Sequence, residues 1–260
     1  MDYPDNAFLA EKPTKPVEVI IKVGPTEYYP ELMQNTDEWL KLRCGMITAS
    51  NMSKILTPTL KVANNDKTRK FFYEVAAERI AGKPAPHFMS YDMERGHLEE
   101  SEASKVYNDK IAPAVECGFA INRELGFPVG FSPDRLVGDD GFLECKSRLA
   151  KFQVETIFDH IVMAEEAKTP IPVDFMMQVQ TGFFVTKREW CDFISYSNGL
   201  NMVVIRCEPV AEYQAAIENA LIDAEKTISR IVRKYKTAVI DPKSRVYPVE
   251  WVDHHEEISA

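Results

Sequence analysis

The segment Phe131–Arg148, Phe-Ser-Pro-Asp-Arg-Leu-Val-Gly-Asp-Asp-Gly-Phe-Leu-Glu-Cys-Lys-Ser-Arg, restricts the fold more than any other stretch. Apolar runs on either side of Gly138-Asp139-Asp140-Gly141 predict a β-hairpin, because clustered Gly and Asp favour a turn between strands. Successive strand side chains point to opposite faces, so Glu144 and Lys146 share one face and Cys145 takes the other. Asp134 arrives from the neighbouring strand. Two carboxylates on the covered face of a sheet repel at a cost that a divalent cation removes. Mg²⁺ takes hard oxygen ligands and keeps several waters, which suits such a pair. An ammonium two residues along is placed to hold an attacking water.

A Glu-x-Lys triplet alone carries little weight, because charged residues at about a quarter of a chain make it expected about once in this length. Glu166-Ala167-Lys168 fits the pattern too. That copy lies in a polar, Pro-bounded segment without a strand pattern, which predicts a solvated helix end. The first copy differs in its surroundings: Val129-Gly130-Phe131 ahead of Pro133-Asp134, then the turn, then Phe142 and Leu143 leading into Glu144.

At 260 residues with 45% hydrophobic content, the chain can build a sizeable core. It has no apolar run of about 18 residues, and its first residues lack a basic stretch followed by an apolar one; neither a membrane span nor a secretory signal is expected. Cys44, Cys117, Cys145, Cys191 and Cys207 are odd in number, widely spaced and mostly within apolar runs. Reduced core thiols in a cytoplasmic protein are expected. The net charge of −9 argues against a broad basic face for nucleic acid. A locally basic groove is still compatible with it, since field focusing in a cleft depends on local charge.

Five prolines within residues 1–30 and little periodicity predict an extended arm over residues 1–35, with a single domain over 36–260. Asn35 and Glu38 have capping-box spacing and would open a short helix through Trp39, Leu40 and Leu42. Gly45 permits a tight turn, and Thr48 or Ser50 is placed to cap a second helix through Leu56. Residues 67–81 carry Phe71, Phe72, Val75, Ala76 and Ile80 at helical spacing and stop at Gly82-Lys83-Pro84. A further helix is expected over about 92–107. Strands are expected near 115–121, 127–132, 142–147, 191–197 and 202–207, with helices near 151–163 and 172–185 between the third and fourth. From Val210 to about Tyr235, apolar residues at alternating spacings of three and four mark an amphipathic helix. This pattern describes an α/β domain with a mixed central sheet flanked by helices.

Four blocks occur in order: Asp-Glu-Trp-Leu-Lys-Leu-Arg-Cys-Gly-Met-Ile-Thr-Ala-Ser at residues 37–50, Arg95-Gly96-His97-Leu98-Glu99-Glu100, Ser132-Pro133-Asp134 with Leu143-Glu144-Cys145-Lys146, and Met177-Gln178-Val179-Gln180. Together they make the chain resemble the phage lambda-type exonucleases of the YqaJ viral recombinase family, within the PD-(D/E)xK nucleases, over residues 36–208. The resemblance implies a restriction-endonuclease-like core. It implies a 5′-to-3′ exonuclease on double-stranded DNA ends that uses two Mg²⁺ ions per site, with Mn²⁺ as a substitute, in two-metal phosphodiester hydrolysis. It also implies a ring-shaped homotrimer that works beside a single-strand annealing protein in phage recombination.

By the same resemblance, Asp134 and Glu144 are metal-binding carboxylates and the Cys145 carbonyl a backbone metal ligand. Lys146 is the lysine that positions the nucleophile. Glu100 is the helical acid completing the second metal position, and Gln178 the glutamine that orients water or the scissile phosphate. Arg43, Ser50 and Ser132 fall where the family holds the terminal 5′-phosphate. Chemistry agrees there, since a guanidinium fork and hydroxyls near a helix N-terminus suit a phosphate. An anchored end fixes which bond is cut, and hence the direction of digestion.

Each residue has an ordinary alternative. Glu100 belongs to the acidic run Glu99-Glu100-Ser101-Glu102, of a kind that forms a solvated helix face. Ser50 also suits an N-cap, and Arg43 a surface ion pair. Gln178 competes with Gln180, on a different helix face. His87 and His97 read as structural and Trp39 as core. The wider nuclease group often has an aromatic residue four positions after the glutamine, where this chain has Gly182, which removes the basis for stacking there. Two other classes stay open. A Cas4-like or AddB-like nuclease would carry an iron–sulfur cluster on four cysteines, three closely grouped, and Cys191 and Cys207 are too sparse for that. A non-catalytic DNA-end-binding module on this fold would show a broken catalytic set, whereas Asp134, Glu144 and Lys146 are all present.

Overall fold

A computed structural model describes residues 21–85, 91–241 and 243–249; His87 and residues 1–20 of the expected arm lie outside the described residues. Regular structure begins before Asn35. Strands β1 (Ile21–Val23) and β2 (Thr26–Tyr29) pair antiparallel about Gly24, which takes the positive φ that glycine favours. Helix α1 (Asp37–Arg43) is capped by Thr36 rather than Asn35: the Thr36 hydroxyl accepts from the Trp39 N–H at 3.3 Å and donates to the Met33 carbonyl at 2.8 Å. Asn35 instead turns the chain into α1 with a left-handed φ of 64°, a conformation Asn tolerates. After β3 (Ile47–Thr48), the expected second helix is only a 3₁₀ turn over Ala49–Lys54, and no side chain caps it.

Helix α2 (Asp66–Ala81) is capped by Asn65 and ends at left-handed Gly82, and α3 (Tyr91–Lys110) follows. The remaining strands are β4 (Ala114–Val115), β5 (Phe119–Asn122), β6 (Val129–Phe131), β7 (Arg135–Val137), β8 (Gly141–Ser147), β9 (Trp190–Tyr196) and β10 (Val203–Cys207). They form two five-stranded sheets, ordered β1-β2-β5-β6-β3 and β10-β9-β8-β7-β4, where a single central sheet was expected. Each sheet is mixed, with β3–β6 and β8–β9 parallel and the other named pairings antiparallel. The division falls at Ser132-Pro133-Asp134. Proline has no N–H to continue a ladder, so β6 ends in the first sheet and β7 starts in the second. The predicted hairpin is thus β7–β8, with Arg135 opposite Leu143 and Asp134 at its open end.

Helices α4 (Ala150–Ile157), continued by a π turn over Phe158–Val162, and α5 (Val173–Thr186) lie between β8 and β9. Glu166 and Lys168, the second triplet, are exposed beside a 3₁₀ turn. Helix α5 is the centre of the core: from Met176 to Thr186 only Gln178 escapes full burial. Phe142 meets Phe131 and Phe183 edge-on, at centroid distances of 5.3 and 5.0 Å. Gly182 is required at this crossing, since a Cβ there would stand 2.9 Å from Phe142 and 3.0 Å from Phe131. Helix α6 (Ala211–Ile240) covers α2 and α5 and is tied to α2 by a two-pronged Arg79–Glu225 pair at 2.7 Å. Among the described residues no helix is long and apolar enough to cross a membrane.

Candidate active site

Strand β8 delivers the two charges that strand alternation predicts. Glu144 is 1% exposed, and its Oε1 accepts from the Lys146 ammonium at 2.5 Å and from the Gln178 amide at 2.6 Å. Its other oxygen, Oε2, is buried with no hydrogen-bond partner among the described residues. Asp134 stands across the hairpin, held there by the Cys145 backbone N–H, which donates to Oδ2, and by its own N–H donating to the Leu143 carbonyl at 3.3 Å. Glu100 comes from α3. All four side chains, with Gln178, Arg43, Ser50 and Ser132, line one cavity of about 720 Å³.

The acidic run on α3 resolves into separate tasks. Glu99 accepts from the Ser147 hydroxyl at 2.5 Å and Glu102 from the Tyr196 hydroxyl at 2.8 Å, and both contacts dock α3 on the second sheet. Glu100 faces the cavity with His97 at 3.9 Å. The two glutamines of α5 divide in the same way. Gln180 is fully buried, donating to the Glu208 carbonyl at 2.9 Å and accepting from the Val210 N–H at 2.9 Å, so it fixes the start of α6. Gln178 reaches Glu144 instead.

Arg43, Ser50 and Ser132 are linked through two residues that sequence reasoning did not assign to the site. The Arg43 guanidinium lies 3.8 Å above the Trp39 ring. Trp39 Nε1 donates to the Ser132 hydroxyl at 3.1 Å and to the Gly118 carbonyl at 3.1 Å. Trp39 is core, as read from the sequence, but it also touches two of the three residues. Its position four before Arg43 on one helix was the available signal. Thr48 joins the third: its hydroxyl accepts from Arg43 at 3.4 Å and lies 3.1 Å from the Ser50 hydroxyl. Arg43 forms no ion pair among the described residues, and burial pushes it down to about 10. This pocket rests on side chains, because the 3₁₀ turn beside it is too short to supply the helix terminus expected there.

The electrostatics are those of too many carboxylates for the cations present. Burial and the Glu100 charge push Asp134 up to about 8. Burial, opposed by Lys146 and reinforced by Asp134, pushes Glu144 up to about 7. Glu100 also rises to about 7, through burial opposed by Arg135 and reinforced by Glu144. Burial alone would lower the Lys146 ammonium, but Glu144 and Asp134 outweigh it and raise it, so Lys146 is charged at neutral pH. Among the described residues no three His, Cys, Asp or Glu side chains stand together in ion-holding geometry as they are placed. Internal donors occupy Asp134 Oδ2 and Glu144 Oε1. The orphaned Glu144 Oε2 and a hard-oxygen donor set with excess negative charge nevertheless fit a divalent cation such as Mg²⁺.

Residues 38–189 match the YqaJ-like viral recombinase domain, more than half of the chain. The chain belongs to this family. Two solved structures of an alkaline exonuclease from Laribacter hongkongensis, one in complex with dAMP, are 26% identical, with a TM-score of 0.60 over 78% of this chain and 99% of theirs. A phage-related exonuclease from Haemophilus somnus shares the fold at 13% identity, with a TM-score of 0.53 over 73% of this chain and 96% of its own. No curated protein matches the chain. The family is of a metal-dependent nuclease type, and membership together with the cavity's chemistry makes this protein a DNA exonuclease with the PD-(D/E)xK fold expected from the sequence.

Proposed function

We propose that the protein is a Mg²⁺-dependent 5′-to-3′ exonuclease that digests one strand of duplex DNA from its end and releases 5′-mononucleotides. The observation that carries this reading is Glu144. A buried carboxylate with one oxygen unpartnered, the other on Lys146 and Gln178, and Asp134 opposite is costly in a protein that leaves it unused. Asp134, Glu144, Glu100 and the Cys145 carbonyl would hold the ions. Two Mg²⁺ ions per site, with Mn²⁺ as a substitute, would supply activation of the attacking water and neutralise charge on the leaving 3′-oxygen.

Lys146 holds the attacking water against the phosphorus, and Gln178, which donates to the same Glu144 oxygen as Lys146, orients the water or the scissile phosphate. Arg43, Ser50 and Ser132 bind the terminal 5′-phosphate. That Arg43 makes no ion pair among the described residues supports this, because a half-buried guanidinium that Glu78 reaches only through space has N–H donors left for an anion. The dAMP bound by the Laribacter enzyme, a deoxynucleoside monophosphate, supports the product class. A homotrimeric ring acting inside a bacterial cell with a phage single-strand annealing protein completes the proposal. The test is a linear duplex labelled separately at each 5′ and 3′ end, incubated with and without Mg²⁺. Label release from the 5′ end first, only with the ion, is expected; release from the 3′ end or in EDTA overturns it.

A further inference from the structure

Arg148 lines the same cavity and has no part in the scheme above. It stands two residues past Lys146, just beyond β8, where alternation places it on the face that bears Glu144 and Lys146. An arginine so near a carboxylate cluster would ordinarily pair with one of its members. Arg148 makes no ion pair among the described residues, and its Nε is buried without a hydrogen-bond partner. Glu155 and Asp174, the acids that act on it most, act only through space.

Two aromatic rings hold the guanidinium instead. Its Cζ is 5.0 Å from the centroid of Phe152 and 5.0 Å from that of Phe175. Phe175 is stacked on buried Phe193 at 5.4 Å, so one wall of the slot is fixed to the core. Phe152, 38% exposed at the rim, is the other wall. The backbone is pinned as well, the Arg148 N–H donating to the Tyr196 carbonyl at 2.7 Å. With Nε closed off, the terminal N–H groups of the guanidinium over these two rings are what Arg148 has left for an anion, a planar pair of donors that an ammonium lacks.

We propose that Arg148 is a second phosphate anchor, binding a phosphodiester of the digested strand on the far side of the metal-binding acids from the terminal phosphate. The proposal rests on the exonuclease reading of the cavity. Arg43 is supplied by α1 against the first sheet, whereas Arg148 leaves the end of a central strand of the second. Arg43, Glu144, Lys146 and Arg148 line one cavity, so a strand that runs from Arg43 to the acids lies in the space that Arg148 also lines. Anchors on both sides hold the scissile phosphate in line for attack, which a single terminal anchor leaves free to swing.

The experiment is binding of a 5′-phosphorylated duplex, followed by fluorescence anisotropy at several salt concentrations, in a Lys146→Ala background that suppresses cleavage. Adding Arg148→Ala is expected to weaken binding about ten-fold and to lower the slope of log Kd against log salt concentration by about one. Arg148→Lys keeps the charge but not the fork, and should give an intermediate affinity with the slope unchanged. Phe152→Leu keeps the apolar bulk, removes one ring, and should weaken binding without changing the slope. Unchanged affinity and slope in Arg148→Ala overturn the proposal. Should that variant fail to fold, wild-type affinity in both Arg148→Lys and Phe152→Leu overturns it equally. If the parent binds duplex no better than an unrelated protein, the exonuclease reading itself fails, an outcome distinct from either.

Discussion

Raising the pH of the metal-free protein from 5 to 9 should destabilise it, and Mg²⁺ should reverse the loss. Glu144 titrates near 7, against an ordinary value of 4.5 that it regains in the unfolded chain. A carboxyl whose folded pKa lies above its unfolded one contributes stability that is fully present below the unfolded value and lost as pH rises through the folded one. The interval for Glu144 corresponds to about 3 kcal/mol, lost between pH 4.5 and about 7. Asp134 extends the window to about 8. Ionisations at one site are coupled, so the contributions of Asp134, Glu144 and Glu100 do not simply add, and Lys146 offsets the first charge. At about 2–4 °C per kcal/mol for a domain of this size, the Glu144 share alone lowers the melting temperature by roughly 6–12 °C. Protons compete with the cation for the same oxygens, so the gain from saturating Mg²⁺ should be small at pH 5 and large at pH 9. Thermal melts in EDTA and in Mg²⁺ across this range read both effects, and Glu144→Gln, which cannot ionise, isolates the Glu144 share by flattening its part of the curve. A melting temperature in EDTA that is level from pH 5 to 9, or an equal Mg²⁺ gain at both ends, would refute the reasoning.

Lys146→Ala should reduce turnover on the order of 10²–10⁴-fold while duplex-end affinity stays within a few-fold of the parent; loss of binding in anisotropy would contradict its role at the nucleophile. Arg43→Ala should remove most of the preference for 5′-phosphorylated over 5′-hydroxyl ends, measured as the ratio of kcat/KM on the two substrates, and a retained ratio would place the phosphate elsewhere. Trp39→Phe keeps a ring under Arg43 but removes the donor to Ser132, and should lower that ratio part of the way with the change in KM rather than kcat. The α5 glutamines should separate cleanly. Gln180→Ala strips partners from buried backbone groups and should cost about 2–3 kcal/mol in urea unfolding, whereas Gln178→Ala should leave stability nearly unchanged and slow turnover.

What the sequence made legible is local. Period-2 alternation alone puts Glu144 and Lys146 on one face, and helical spacing marks α2 and α6 within a few residues. Choosing Glu100 over Glu99, and Gln178 over Gln180, needed the resemblance, because both members of each pair are equally polar and only docking against β8, β9 and α6 tells them apart. The β1–β2 hairpin was hidden because Ile21-Lys22-Val23 is only three residues long, too short for its alternation to stand out, and it is exposed throughout. The split into two sheets depends on pairings between strands far apart in the chain, for which the single local trace is Pro133. Thr36 displaced Asn35 as the α1 cap for a comparable reason: both can cap, and the choice was made by the left-handed turn that leads in.

The acid-rich composition and the polyanionic substrate are reconciled by where the unpaired cations sit. At physiological salt, charges further apart than about 8 Å are largely screened, so the net charge of −9 acts on DNA mainly where surface and backbone touch. Inside the cavity, Arg43 and Arg148 make no ion pair among the described residues and both lie over aromatic rings, Trp39 in one case and Phe152 with Phe175 in the other. Only a strand that enters the cavity reaches them, and a strand end enters most easily. Under the proposed function, selection of a strand end needs no base-reading surface; it would follow from placing Arg43 and Arg148 inside the cavity, where an end can go.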